Sequence, residues 1–212
     1  MRILVTAGPT YEDIDDVRFI GNRSSGRMGF EVARAARSRG WDVTLITGPV
    51  NLETPPGVRR INVRSAREMF DACRRTFPQA DAVVMTAAVA DYTPAKKLTG
   101  KRKKSKRSWT LRLVPTPDIL AWMGSHKRQG QLLVGFALEA GGVAGGKAEA
   151  LRKLKAKNLD MIVLNGPESF NSEAATFSVL DASERWTDIG RKTKRSLAAW
   201  LAKKLEAEKS HR

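Results

Sequence analysis

The chain has 212 residues, enough for one α/β domain with a buried core. Hydrophobic residues make up 42%, yet no apolar run approaches the roughly 20 residues that span a bilayer, so no membrane partner is expected. A formal net charge of +16 demands a partner or an explanation: nucleic acid, a small polyphosphate, or a solvated basic surface, the last being the reading for the C-terminal tail.

In chain order, residues 2–7 (RILVTA) read as a strand, too quickly interrupted to serve as a signal peptide. A polar, Asp-rich loop is expected over residues 11–16. The run Asn22-Arg23-Ser24-Ser25-Gly26-Arg27-Met28-Gly29 opens a helix to about Arg39, with Met28, Val32, Ala35 and Ala36 on one face and Gly40 as its stop. Residues 42–47 and 59–63 read as the next two strands. Ser65, with Glu68 three residues on, predicts a capped helix to about Thr76. Residues 80–88 (ADAVVMTAA) form the most apolar strand, as expected of a buried parallel one.

Residues 96–107 carry eight basic side chains and no acid, which reads as a mobile loop. Residues 109–114 alternate like a strand. A helix from Pro117-Asp118 to Met123, a strand over 132–138, a helix over 147–157 and a strand over 161–164 follow. Residues 176–180 read as the last strand and 192–208 as a C-terminal amphipathic helix. Strand–helix alternation predicts a Rossmann-like, doubly wound, mostly parallel sheet. It is read as a single domain over residues 1–212, with a basic flap and arm at 94–114.

Ligands of such sheets bind beyond the carboxyl ends of the strands. There stand Ala7-Gly8-Pro9-Thr10, Ala87-Ala88-Val89-Ala90-Asp91-Tyr92 and Phe136-Ala137-Leu138-Glu139, which implies one shared cleft. Ser24–Gly29 brings hydroxyls, a turn and free N–H groups to a helix start, an anion site in form. An ordinary capped helix is the alternative. Asp91 can hydrogen-bond a ligand or help hold Mg²⁺. Lys153 and Lys157, four apart, can grip phosphates or form a solvated face. Lys101, on the glycine-flanked basic loop, can close over phosphates.

The single cysteine, Cys73, excludes an internal disulfide and fits a reducing, cytoplasmic setting. It reads as a buried helix residue, because neither His126 nor His211 stands in a catalytic context. With no Ser-His-Asp or Cys-His arrangement and no metal-ligand spacing, the chemistry expected is electrostatic and positional.

Eight stretches in this order resemble the phosphopantothenate–cysteine ligase family: ILVTAGPT (3–10), VRFIGNRSSGRMG (17–29), TLITGPVNLETPP (44–56), AAVADY (87–92), KRKK (101–104), TPDI (116–119), VGFALE (134–139) and KNLDMIVLN (157–165). The likeness spans nearly the whole chain and is strongest to the bacterial members, many of which fuse the ligase behind a flavin-dependent decarboxylase. That half is absent from this sequence, which is either a free-standing ligase or one half of a longer protein; no flavin is expected, and a separate decarboxylase is admitted as a partner. The sequence departs from the family at Gly21 (commonly serine), at Gly166-Pro167-Glu168-Ser169 and over residues 170–175.

The resemblance implies a two-step reaction. The carboxylate of 4′-phosphopantothenate attacks the α-phosphate of CTP, with Mg²⁺, and releases pyrophosphate. The amine of cysteine then attacks the acyl-cytidylate, giving phosphopantothenoylcysteine and CMP. ATP is the alternative nucleotide. Substrate contacts carry over to Asn22, Ala87, Ala88 and Asp91, with Arg18 arriving from the second subunit of a homodimer. Nucleotide contacts carry over to Ser25, Ala87, Asp91, Lys101, Thr116, Pro117, Phe136, Lys153 and Lys157. Asn22 and Lys101 are the expected catalytic residues, and no protein ligand to the metal is named.

Two rival readings weaken on inspection. A nucleic-acid binder would carry a zinc finger, RNP motif or recognition helix, and none is visible. A dinucleotide oxidoreductase needs G-x-G-x-x-G, but Ser24 stands at the leading glycine, and the second strand ends in Thr47-Gly48-Pro49 without an acid.

Overall fold

The computed structural model describes residues 1–138, 142–166, 169 and 172–210, with only the backbone of 142–145. Glu139, residues 167–168 and 170–171, and His211 therefore lie outside the described residues. Strand β1 (Arg2–Ala7) leads into a hairpin of β2 (Tyr11–Asp13) and β3 (Phe19–Gly21), then helix α1 (Arg27–Arg37). β4 (Asp42–Thr47), β5 (Arg59–Asn62), α2 (Ala66–Thr76) and β6 (Ala82–Met85) complete the first half. A ribbon of β7 (Tyr92–Pro94) and β8 (Leu113–Pro115) precedes α3 (Ile119–Ser125), β9 (Leu132–Leu138), α4 (Gly142–Ala156) and β10 (Met161–Asn165). β11 (Ala174–Asp181), β12 (Trp186–Thr193) and α5 (Lys194–Ser210) end the chain.

Among the described residues, eight strands form one sheet in the order β12-β11-β10-β9-β6-β1-β4-β5. β5 through β10 run parallel, and β11 and β12 add an antiparallel edge. This is the Rossmann-like architecture that the strand–helix alternation predicts. A period of two with burial on both faces explains the unbroken apolar run Ile3-Leu4-Val5 of β1. Ile3, Val5 and Ala7 face a layer with Phe30 and Val32 of α1 and Leu197 and Leu201 of α5. Leu4 faces the opposite layer, with Met69 and Cys73 of α2, Met123 of α3 and Leu154 of α4. Each such side chain, fully buried, contributes about 1.5–3 kcal/mol. None of the described helices is long and apolar enough to cross a membrane.

Several local expectations change. Residues 11–13 are not loop but pair with 19–21, and Tyr11 stacks on Phe19 at 3.9 Å. The first helix starts five residues late, because Gly26 takes a left-handed φ of 75° and leaves Ser24 and Ser25 ahead of it. Of residues 109–114 only the last two join a strand: among the described residues β8 pairs with β7, and the ribbon runs out just past the bond from the Ala95 N–H to the Arg112 carbonyl at 3.0 Å. The sequence reading also missed β12, an edge strand bulged opposite Phe177 and Ser178, and it began the last helix at residue 192 rather than at Lys194. Gly40 does stop α1, at φ 76°, and Ser65 caps α2 by accepting from the Glu68 N–H at 3.1 Å.

Candidate active site

The carboxyl ends of β6, β9 and β10 and the start of α1 converge on a cavity of about 460 Å³. Its floor is stitched together by small polar side chains. The Thr6 hydroxyl donates to the Met85 sulfur at 3.4 Å and accepts from the Ala87 N–H at 3.2 Å. The Thr86 hydroxyl donates to the Thr6 carbonyl at 2.7 Å. Beyond β1 the Ala88 N–H donates to the Gly8 carbonyl at 2.9 Å, and the Thr10 hydroxyl accepts from the Ala90 N–H at 2.9 Å. The Ala88 carbonyl accepts twice, from the Thr10 N–H at 3.2 Å and from the Asn22 side-chain amide at 2.9 Å. On the far side Thr116 donates its hydroxyl to the Ala90 carbonyl at 2.6 Å and its N–H to the Asp91 carbonyl at 2.9 Å. Loop 86–91 is thus fixed before any ligand arrives.

Glycine makes this closeness possible. A Cβ on Gly29 would sit 2.6 Å from the Ala7 Cβ and 2.9 Å from the Thr6 carbonyl oxygen. The first turn of α1 therefore lies directly on the ends of β1 and β6. That turn has no side-chain cap, so its N–H groups are left for solvent or an anion.

The lining is electropositive. Arg23, Arg27 and Lys194 face the cavity, and Asp91 is the sole acidic lining residue among those described. Burial lowers the Lys194 ammonium below the ordinary lysine range, and the nearby Arg27 lowers it further. A phosphate entering here would relieve that repulsion.

The fold brings six of the predicted residues together: Asn22, Ser25, Ala87, Ala88, Asp91 and Phe136. It places the other six elsewhere. Thr116 backs the loop, and with Pro117 it lines a second cleft alongside Tyr11, Asp13, Arg64 and Lys97. Lys157 pairs with Asp118 at 2.7 Å, and Lys153 pairs with Glu149 at 3.5 Å. Arg18 is paired with Asp15, and its guanidinium lies 5.4 Å from the centre of the Trp109 ring. Lys101 is exposed on the basic segment. The sequence reading gave no role to Arg23, Arg27, Lys194, Ser169 or Phe177, all of which line the cavity. Arg23 and Arg27 lay inside a quoted motif, whereas nothing local marked Lys194.

Nucleophilic alternatives weaken further. Cys73 is wholly buried, and burial pushes its thiol up to about 12. His126 stacks on Trp122 at 4.4 Å, away from the cavity. Among the described residues no group of three His, Cys, Asp or Glu side chains could hold a metal ion by itself.

Residues 1–208 match the family described as DNA/pantothenate metabolism flavoprotein C-terminal domain. The chain belongs to this family. It is 44% identical over 176 residues to the coenzyme A biosynthesis bifunctional protein CoaBC of Haemophilus influenzae, covering 82% of this chain and 43% of that protein. The CoaBC protein of Mycobacterium tuberculosis is 44% identical over 193 residues, covering 87% and 45%. A prokaryotic protein named cysteine/cysteine sulfinic acid decarboxylase is 43% identical over 209 residues, covering 96% and 57%. The chain spans about half the length of these curated relatives. The crystal structure of the C-terminal domain of CoaBC superposes with a TM-score of 0.85 at 34% identity, covering 100% of this chain and 96% of that one. A Streptococcus pneumoniae flavoprotein of the same family name, at 23% identity and TM-score 0.86 over 98% and 99%, shares the fold.

Proposed function

We propose that this domain ligates cysteine to 4′-phosphopantothenate at the expense of CTP, through an acyl-cytidylate. The observation that carries the reading is the convergence of Asn22, Ala87, Ala88 and Asp91 on one cavity whose other wall is cationic. The coenzyme A role named for its CoaBC relatives supports it.

In this reading the substrate lies along the pre-fixed loop 86–91. Arg27, Lys194 and the uncapped start of α1 take up phosphate charge. The substrate carboxylate forms a bond to the α-phosphorus as the bond to pyrophosphate breaks. Arriving cations offset the negative charge that builds there, Lys101 among them. Asn22, held by the Ala88 carbonyl, presents its remaining amide N–H to the acyl-nucleotide. The cysteine nitrogen then attacks the acyl carbon, CMP leaves, and the amine proton passes to solvent.

Mg²⁺ would be held by nucleotide phosphates and one carboxylate, a donor set that the lone Asp91 fits. It would supply charge neutralisation. A homodimer completes the proposal. Val17, Phe19, Tyr92, Trp109 and Leu113 are large apolar side chains left exposed, and they sit on or beside the β2–β3 hairpin and the β7–β8 ribbon. The location proposed is cytoplasmic.

The test is pyrophosphate release from 4′-phosphopantothenate with CTP or ATP, with and without cysteine. CTP-dependent release that needs phosphopantothenate is the expected result. Equal turnover with ATP would remove the CTP assignment, and no release with either would remove the ligase. Mixing inactive Arg18→Ala and Asn22→Ala subunits should restore some activity if the site is shared, and verified heterodimers without recovery would refute sharing.

A further inference from the structure

The acidic loop that follows β2 seats the basic flap of the same chain. Lys97 reaches Asp13 at 3.3 Å and Asp16 at 3.5 Å. The Leu98 N–H donates to the Ile14 carbonyl at 2.9 Å, and the Gly100 N–H donates to the Asp16 carboxylate at 2.7 Å. The centre of this arrangement is Asp15, whose side chain is fully buried although it carries a charge. One carboxylate oxygen accepts from the N–H groups of Val17 at 2.9 Å and Arg18 at 2.8 Å. The other accepts from the Arg18 Nε at 3.0 Å, from the Arg18 Nη2, and from the Arg102 N–H at 3.2 Å. Arg18 closes the circuit by donating to the Arg102 carbonyl at 3.1 Å. The Arg18 and Arg102 guanidiniums then lie 5.4 and 4.6 Å from the centre of one ring, that of Trp109.

A buried carboxylate survives only with such donors, so its partners are held as firmly as it is. Its hydrogen bonds, that from Arg18 foremost, keep its proton affinity well below the usual carboxylate range. Lys101 lies between Gly100 and Arg102, and the backbone N–H groups of both neighbours are tied to this loop. The backbone from which Lys101 projects is therefore set by acids some 85 residues earlier in the chain.

We infer that Asp15 is a positioning residue, whose buried carboxylate fixes Arg18 and the Lys101-bearing flap as one unit. The flap is then a docked strap rather than a free run of charge. Its catalytic consequence rests on the ligase reading; its structural consequence does not.

Two measurements on the full chain test this. The first is trypsin digestion without ligand, since the flap from Lys101 to Arg107 offers many cleavage sites. Asp15→Asn keeps the shape but removes the charge that binds Arg18. Losing hydrogen bonds to a charged acceptor should raise the open population, and hence flap cleavage, by about tenfold or more. Asp16→Asn, whose half-exposed carboxylate binds one flap N–H and the exposed Lys97 ammonium, should change cleavage by no more than about threefold. Should Asp15→Asn fail to fold, Arg18→Gln removes the guanidinium that bonds both Asp15 and the Arg102 carbonyl, leaves every flap cleavage site in place, and should free the flap likewise. Unchanged cleavage in the folded variants overturns the proposal.

The second measurement is a double-mutant cycle in pyrophosphate release. On the Asp15→Asn background, Lys101→Gln should lose most of its effect on kcat, because the lysine is no longer held in place. Full additivity overturns the positioning role. Absence of wild-type turnover would refute the ligase reading instead, and the trypsin comparison would still decide the strap.

Discussion

Gly48→Ala tests whether the close approach of two loop backbones builds the site. Gly48 follows β4, and its N–H donates to the Ala7 carbonyl at 3.0 Å. A Cβ there would lie 1.6 Å from the Pro9 carbonyl oxygen and 2.7 Å from its carbon. Gly48 is not among the glycines with positive φ, so the penalty is steric rather than torsional. To regain ordinary contact the Pro9 carbonyl must retreat by about 1.8 Å. Pro9 bridges to Ala88, and the bonds of Thr10 N–H to Ala88 and of Ala88 N–H to Gly8 flank that bridge. Overpacking costs about 1–3 kcal/mol, and losing two backbone hydrogen bonds adds about 1 kcal/mol each. A total of about 3–5 kcal/mol should lower Tm by roughly 6–20 °C in a chain of this size. The control is Gly40→Ala, at φ 76° with nothing within 4 Å of the new Cβ. It should lose only the left-handed strain of about 1–2 kcal/mol, or roughly 2–8 °C. Thermal unfolding followed by circular dichroism compares the two. A Gly48→Ala protein that melts no lower than Gly40→Ala refutes the reasoning. If it melts lower, its pyrophosphate release at 25 °C should also fall, because loop 86–91 hangs on the same contacts.

The other expectations are shorter. Asn22→Asp replaces the donor to Ala88 with a carboxylate, so kcat should fall by about a hundred- to a thousandfold. Acyl-cytidylate should then accumulate in quenched reactions, and mass spectrometry that finds none while turnover is lost would refute Asn22's role in the second step. Lys194 carries its charge at a cost in the ligand-free fold, because burial and Arg27 lower its proton affinity. Lys194→Gln should therefore raise Tm at pH 7, with a gain that fades as pH approaches the ordinary lysine range, and pyrophosphate should stabilise it less than wild type. Equal stabilisation by pyrophosphate would remove Lys194 from the anion site. Native Cys73 should resist a thiol-specific disulfide reagent at pH 8 and react once guanidinium unfolds the chain; rapid labelling of the folded protein would contradict its burial. Burial raises the proton affinity of Asp118, but bonds from Lys157 and the Ala121 N–H lower it further, to a net depression. Stability from this carboxylate is thus present at pH 7 and lost as pH falls through its depressed folded value, so the Tm cost of Lys157→Ala should shrink in acid; a pH-independent difference would refute the pairing.

Where the sequence was legible, one physical signal sufficed. β1 and β9 were located to the residue because strands buried on both faces are continuously apolar. Ala87, Ala88, Asp91 and Phe136 were legible because parallel strands deliver their carboxyl-end loops to one edge, Ser25 because it precedes a helix start, and Asn22 through the family resemblance. β12 was not, because an edge strand with Asp188, Gly190, Arg191 and Lys192 has no apolar face to reveal it. Residues 109–111 show the converse: alternation is real in them, but among the described residues no neighbouring strand turns it into a ladder.

The least legible features are those made by contacts distant in sequence. Lys194 reaches the cavity because α5 packs beside α1 in one core layer, which sets the start of the last helix next to Arg27. No motif near residue 194 could announce this. The acidic loop and the basic flap were each visible as a run of charge, and each alone reads as a solvated surface. Their meaning is joint. Asp13, Asp15 and Asp16 neutralise and anchor part of the flap, while Arg23, Arg27 and Lys194 leave the cavity itself positive. Part of the positive charge is thus held in a docked strap and part on the cavity wall. On the function proposed above, three cations on the wall of one cavity suit a polyphosphate better than a duplex, because they meet a small ligand at close range.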